Sequence, residues 1–295
     1  MKLTSILFEA FLKCPTKCYL RSTAQTGSRN AYADWVCEQN DAYRKESAYR
    51  LIKMLPDGEH AVTAPDNPNL KTATWTLAVD LKLESGTMDA RLHAVERIPS
   101  EGRGIPAEFI PIRFNFLNKL TKDDRHLLAF DAMLLSDILG QEVRLSKIIH
   151  GENHATLKIK VPSLLGTVRK LAGKMSALLA SGSPPDLILK RHCGECEFRD
   201  YCRQKAVEKD DLSLLSGMSE KERKKNRGKG IFTVTQLSYT FRPRRRPKRL
   251  RAKREKYHHA LKALAIREKK IHIVGTPVRV RWKISSKGAL FLLGW

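Results

Sequence analysis

Three thiols crowd into ten residues, Cys193-Gly194-Glu195-Cys196-Glu197-Phe198-Arg199-Asp200-Tyr201-Cys202, a C-x2-C-x5-C spacing. Two intervening residues let the first pair of sulfurs turn toward one centre, and five more let the third wrap round it. Tetrahedral metal and cluster sites take four ligands, so the fourth must come from a distant part of the chain. Cys14, in Cys14-Pro15-Thr16-Lys17-Cys18, is the leading candidate and Cys18 the second. His192, beside Cys193, is a third and would suit zinc. A remote fourth cysteine favours a 4Fe-4S cluster over zinc, because zinc sites more often use two closely spaced pairs. Such a centre joins residue 14 to 193–202 and stabilises the enclosed domain through loop closure. Cys37 lies inside a helical stretch and is expected to be a core thiol.

Six cysteines used this way fit a reducing cytoplasm. No run of about 18 uncharged apolar residues exists, which excludes a helical membrane span. The first residues place Glu9 inside what would be the apolar stretch of a signal peptide, and no small-residue cleavage site follows.

Charge divides the chain. Residues 1–211 carry 31 Lys+Arg against 27 Asp+Glu, a net of +4, whereas residues 212–295 carry 24 against 4, a net of +20. A block this basic repels itself unless a polyanion neutralises it, which points to DNA or RNA as partner. It lacks a bulky apolar face for a membrane surface. Nine of the thirteen residues from Arg242 to Arg254 are Lys or Arg. Arg242, Arg244, Arg245, Arg246, Lys248, Arg249 and Arg251 are the expected phosphate contacts, and Pro243 and Pro247 prevent a continuous helix there.

Periodicity predicts a mixed α/β order over the first two hundred residues. A helix covers 31–55, with Tyr32, Trp35, Val36, Tyr43, Tyr49, Leu51 and Ile52 at helical spacing. Trp75, Leu77, Val79, Leu81 and Leu83 alternate as one strand, a second runs from Thr87 to Ile98, and a third from Glu108 to Phe116. Thr121 caps a helix that ends at Gly140. Strands at Arg144–His150 and Ala155–Val161 and a helix over Ser163–Leu179 follow. Helix, three strands, helix, two strands, helix describes a small mixed sheet flanked by helices. Beyond it, residues 212–240 read as two short helical pieces around a glycine turn, a helix-hairpin-helix-like segment that would bring backbone N–H groups near a phosphate. Residues 241–295 form a basic extension.

A Cys-Pro near the N-terminus, the G-x-x-D of Gly86-Thr87-Met88-Asp89, a following strand with an acid, and the terminal C-x2-C-x5-C resemble the RecB-like nucleases of the PD-(D/E)XK superfamily, in particular their iron–sulfur subset. The stretch from Asp211-Leu212-Ser213-Leu214-Leu215 to Gly230-Ile231-Phe232-Thr233-Val234 further resembles a bacterial branch in which an RNase H-like domain follows.

The resemblance implies a restriction-endonuclease-like sheet, a cluster on Cys14, Cys193, Cys196 and Cys202, and Mg²⁺- or Mn²⁺-dependent hydrolysis of DNA or RNA. Asp89 and Glu108 would be the metal ligands. Arg113 would stand at the lysine position, which puts Pro111 where the second acid belongs. An arginine there can position phosphate but cannot act as a base. Lys119 is the candidate replacement lysine, and Glu46 or Glu38 the helical carboxylate. The alternative is a nuclease-fold module whose catalytic site has decayed and which binds nucleic acid through its basic tail. After Gly275 the chain gives Val278-Arg279-Val280-Arg281-Trp282-Lys283 instead of that branch's acidic D-x-E strand, so 241–295 reads as the truncated start of a second domain.

Overall fold

The computed structural model describes residues 2–28, 30–65, 70–100, 102, 106–241 and 259–271, together with the backbone of 283–284 and 290–291. The chain forms two compact units, Met1–Cys202 and Arg203–Trp295.

Unit 1 is an α/β domain built on one mixed, open sheet of seven strands. Chain order is β1 (Leu3–Thr4), α1 (Ser5–Lys13), α2 (Pro15–Ser22), α3 (Ala31–Lys53), β2 (Ala61–Thr63), β3 (Leu77–Ser85), β4 (Met88–Ile98), β5 (Glu108–Asn115), α4 (Lys122–Leu139), β6 (Leu145–His150), β7 (Ala155–Lys160) and α5 (Pro162–Ala180). Strands β3, β4 and β5 form an antiparallel meander, β6 joins β5 in parallel after the α4 crossover, and β7 returns antiparallel. This is the mixed sheet flanked by helices that the sequence order predicts, and it is consistent with the restriction-endonuclease-like arrangement that the resemblance implies. The additions are α1, α2 and two short strands that pair in parallel, β1 on β4 and β2 on β3.

Local chemistry explains the boundaries. Thr121 and Asp124 close a capping box at the start of α4, and Gly140 ends it at φ 70. Leu128, Leu134 and Leu135 bury the helix against the sheet, while Leu127 and Phe130 pack with α1 and α5. Phe130 stacks on Phe8 of α1 with ring centroids 4.5 Å apart, and both rings are fully buried. The opposite sheet face packs Val79, Ala94, Ile112 and Phe114 against Ala48, Tyr43 and Leu51 of α3.

One expected regularity fails inside β3. Leu77 and Val79 face α3, whereas Leu81 and Leu83 join the α4-side core. The switch occurs at Asp80, which has φ 56, a left-handed backbone seldom taken by a residue with a Cβ. Across the ladder His93 marks the same switch: Ala94 faces α3, while Leu92 and Ala90 face α4. Cys37 also departs from expectation. It lies on α3 but is exposed, because the N-terminal half of that helix runs out past the sheet core.

In unit 2, α6 (Arg199–Glu208) crosses the boundary from unit 1, and α7 (Glu220–Arg227), α8 (Val234–Ser238) and α9 (His259–Glu268) follow. Its core is Leu212, Leu215, Met218, Val234, Leu237 and Ala263. No described helix in the chain is long and apolar enough to cross a membrane.

Because Phe130 joins α4 to α1 through a fully buried ring, Phe130→Ala is expected to cost about 3–5 kcal/mol, while Ile6→Ala, 63% exposed on α1, stays within about 0.5 kcal/mol. Urea unfolding followed by tryptophan fluorescence reads both.

Candidate metal centre and sheet fork

Cys14 is the residue between α1 and α2, and Pro15 starts the second helix at a position where no N–H is needed. Cys193 and Cys196 bracket a tight turn, and Cys202 lies on α6. These four cysteines, from two segments far apart in sequence, line one cavity with Lys17, His192 and Phe198. Cys18 does not: it is buried among Phe8, Phe130 and Val168 beneath α1. Burial pushes the Cys202 thiol up to about 12, and the neighbouring Cys193, Cys14 and Cys196 add to the rise. Burial also raises Cys196. His192 Nε2 is buried without a hydrogen-bond partner. The donor set is therefore sulfur-rich, which suits zinc or an iron–sulfur cluster. Among the described residues no three Cys, His, Asp or Glu side chains converge closely enough for a single ion.

Glu197 fastens the cysteine turn to α2. Lys17 Nζ lies 2.8 Å and Arg21 Nη2 2.7 Å from its carboxylate oxygens. Burial works to raise this carboxyl, but the hydrogen bonds from Lys17 and the backbone, with the Lys17 and Arg21 charges, bring it down to about 2. Ser28 Oγ donates to the Glu197 carbonyl at 3.0 Å, and Asn30 Nδ2 donates to the carbonyls of Gly194 and Cys196 at 3.2 and 3.3 Å. Gly27 lies so close that a Cβ there would meet Glu197 at 2.7 Å.

A second constellation sits where the sheet forks. Strands β4 and β5 are paired only over 94–98 and 108–112. Past that point β5 stays with β6, while β1 takes the freed edge of β4. The Phe114 N–H donates to His93 Nδ1 at 3.1 Å where the backbone pairing ends, so the remaining ring proton is on Nε2. Asp80 accepts from Arg44 of α3 and lies 3.5 Å from Arg91. Arg113 reaches to the α4 side and pairs with Asp131. Desolvation first, then the charges of Arg113, Arg44 and Arg91, hold His93 well below its ordinary value.

The expected catalytic residues do not assemble. Asp89 begins β4, whereas Glu108 pairs with Ile98 at the other end. Nine residues of strand separate the two positions by about 30 Å, so Asp89 and Glu108 cannot hold one metal. Glu108 is exposed, and Lys119 is exposed in the turn before α4. Glu46 points outward from α3, 3.2 Å from Arg50 and 3.5 Å from His154, and Glu38 is exposed on the same helix. The carboxylate opposite Asp89 is Glu84, its cross-strand partner, which Lys2 engages.

Sequence reasoning missed Asp80, His93 and Asp131. An acid in the middle of Leu77-Ala78-Val79-Asp80-Leu81 and another within Leu127–Leu135 were the available signals, since a charge in a buried run must find a partner.

In unit 2 the glycine turn is closed by its own backbone. The N–H groups of Gly228, Lys229, Gly230 and Ile231 donate to carbonyls of Lys224, Asn226 and Arg227. At the start of α8, Phe232 and Thr233 N–H donate to Gln236 Oε1, Val234 N–H to the Asp210 carbonyl and Thr235 N–H to Asp210 Oδ2. These amides are spent within the fold, so the expectation that they face a phosphate is corrected. Exposed Lys221, Lys225 and Lys229 surround the turn. Arg242, Arg244, Arg245, Arg246, Lys248, Arg249 and Arg251 lie outside the described residues.

A scan against protein-family models finds no match, and no curated protein matches the chain.

The buried Asp131 has a pH signature. Burial raises its carboxyl to about 6 against the Arg113 charge, and Oδ1 has no hydrogen-bond partner. The folded state thus binds this proton more tightly than the unfolded chain. The stability linked to it is full below about 4 and is lost as pH rises through about 6. Relative to Asp131→Asn, the wild type is expected to lose on the order of 2 kcal/mol between those limits, read from urea unfolding across pH.

Proposed function

We propose that this chain is a cytoplasmic nucleic-acid-binding protein on a RecB-like, restriction-endonuclease-like fold, with a 4Fe-4S cluster fastening unit 1 and basic side chains of the C-terminal region supplying affinity for DNA or RNA. The observation that carries the binding reading is charge: 24 Lys+Arg against 4 Asp+Glu after residue 211. With the turn amides already bonded, phosphate contact falls to lysine and arginine side chains. Contacts of that kind release counterions, so affinity should be strongly salt-dependent and largely indifferent to sequence.

The donor chemistry fits a cluster. Four cysteines line one cavity, and four thiolates with one remote in sequence are a donor set that suits a cluster giving each thiolate its own iron. Cys14, Cys193, Cys196 and Cys202 would hold it, and its charge would favour the thiolates that burial disfavours.

Hydrolysis is the second reading, favoured by one observation. Asp89 and Glu84 face each other across β3 and β4, and Lys2 stands beside them. Two carboxylates and a lysine on adjacent strands are what the nuclease resemblance asks for, with Asp89 and Glu84 as ligands for Mg²⁺ or Mn²⁺ in place of Asp89 and Glu108.

Protein purified without oxygen is expected to contain about four irons and four sulfides per chain and to absorb near 400 nm. Cys14→Ser should remove both signals, and Cys18→Ser and Cys37→Ser should retain them; zinc in place of iron would overturn the cluster. Fluorescence anisotropy with labelled oligonucleotides should show affinity falling by about 10³-fold or more between 50 and 200 mM salt. A salt-insensitive constant would overturn the binding reading. Cleavage in Mg²⁺ or Mn²⁺ that Asp89→Ala and Glu84→Gln both abolish would establish the second reading.

A further inference from the structure

Helix α8 turns Val234, Leu237 and Ser238 inward. Thr235 and Gln236 on the helix, and Phe232 and Tyr239 at its two ends, are exposed to solvent. Phe232 is 55% and Tyr239 71% exposed. Phe232 precedes the N-cap Thr233, a position from which an apolar side chain ordinarily packs on the fourth helical residue, here Leu237. Much of the ring remains open to solvent, while its backbone is fixed by the 2.7 Å bond from its N–H to Gln236 Oε1 and by the Thr233 capping box. Tyr239 has the Arg267 guanidinium 4.4 Å from its ring centroid, and Arg267 is itself held by Ser238 Oγ at 3.0 Å. Two exposed aromatic side chains thus flank the short helix α8, Phe232 just before its N-cap and Tyr239 at its C-cap, in the net-basic C-terminal third of the chain.

We infer that unit 2 takes unpaired nucleobases onto Phe232 and Tyr239 and so selects single-stranded nucleic acid; this rests on the proposed nucleic-acid binding. Charge complementarity selects the occupant, because a strand of phosphates is the polymer that a region with 24 Lys+Arg against 4 Asp+Glu attracts. The rings select its form. In a duplex each base face is already stacked on its neighbours, whereas a single strand offers every base's π-face to an aromatic side chain. The Arg267–Tyr239 contact supports the platform by placing a cation against one side of the ring.

The test measures anisotropy of the full chain with a labelled single strand of about 15 nucleotides and with its duplex. The variants are Phe232→Ala, Tyr239→Ala and Tyr239→Phe, with Lys221→Gln/Lys225→Gln for comparison. Both rings are exposed, and circular dichroism confirms that the variants fold. Each alanine variant is expected to weaken single-strand binding about fivefold or more while leaving the salt slope and duplex affinity within about twofold of wild type. Tyr239→Phe should keep wild-type affinity, and the lysine variant should weaken both ligands and lower the salt slope. Single-strand affinity unchanged in both alanine variants, or an equal loss on the duplex, would overturn the inference while leaving salt-dependent binding in place. A wild-type chain that binds neither ligand would overturn both.

Discussion

The grip of Lys17 and Arg21 on Glu197 is the contact on which unit 1 closes. It joins a helix from the first twenty-odd residues to a turn near residue 195, so everything between, including strands β2 to β7, lies inside one loop. Closing so long a loop costs entropy, and the half-buried carboxylate offsets it through charge-assisted hydrogen bonds. Gly27, Ser28 and Asn30 extend the attachment from side chains to backbone. The cysteine cavity lies against this clamp, so the thiols are brought together by protein contacts as well as by any group they hold. A metal added to a preformed site orders less chain than one that must fold its own ligands.

The sheet fork follows from a different constraint. Once β4 and β5 part after Ala94 and Ile112, the strand ends need other partners, and His93, β1 and β6 supply them. The polar groups at the fork are tied up with one another. Asp80 is shared by Arg44 and Arg91, and Asp131 is taken by Arg113. Guanidinium groups thus lie against carboxylates in the middle of the fold, while the Asp89–Glu84 pair lies out at the strand ends. The fork holds strain at Asp80 and an incompletely satisfied Asp131, features that persist only where surrounding structure enforces them.

Unit 2 resolves its backbone differently. Its glycine turn and the starts of α7 and α8 satisfy their own amides through capping boxes and carbonyls. What it offers to solvent is side chains: lysines, Phe232 and Tyr239.

The strand and helix order of unit 1 was legible because the core positions obey simple periods. The capped run from Thr121 to Gly140 and the strands of β4, β6 and β7 came within a residue or two of their observed limits. Spacing left Cys14, Cys18 and His192 open as companions of the C-x2-C-x5-C segment, and only packing puts Cys14 and His192 in its cavity and Cys18 in the core. The sequence by itself could not reveal the reversal of alternation at Asp80, the exposure of Cys37, the distance between Asp89 and Glu108, or the spent amides of the glycine turn. Each depends on strand register, on where two strands part, or on which carbonyl lies nearest. Those are decided by packing between segments far apart in the chain, whereas periodicity records only which side of its own element a residue occupies.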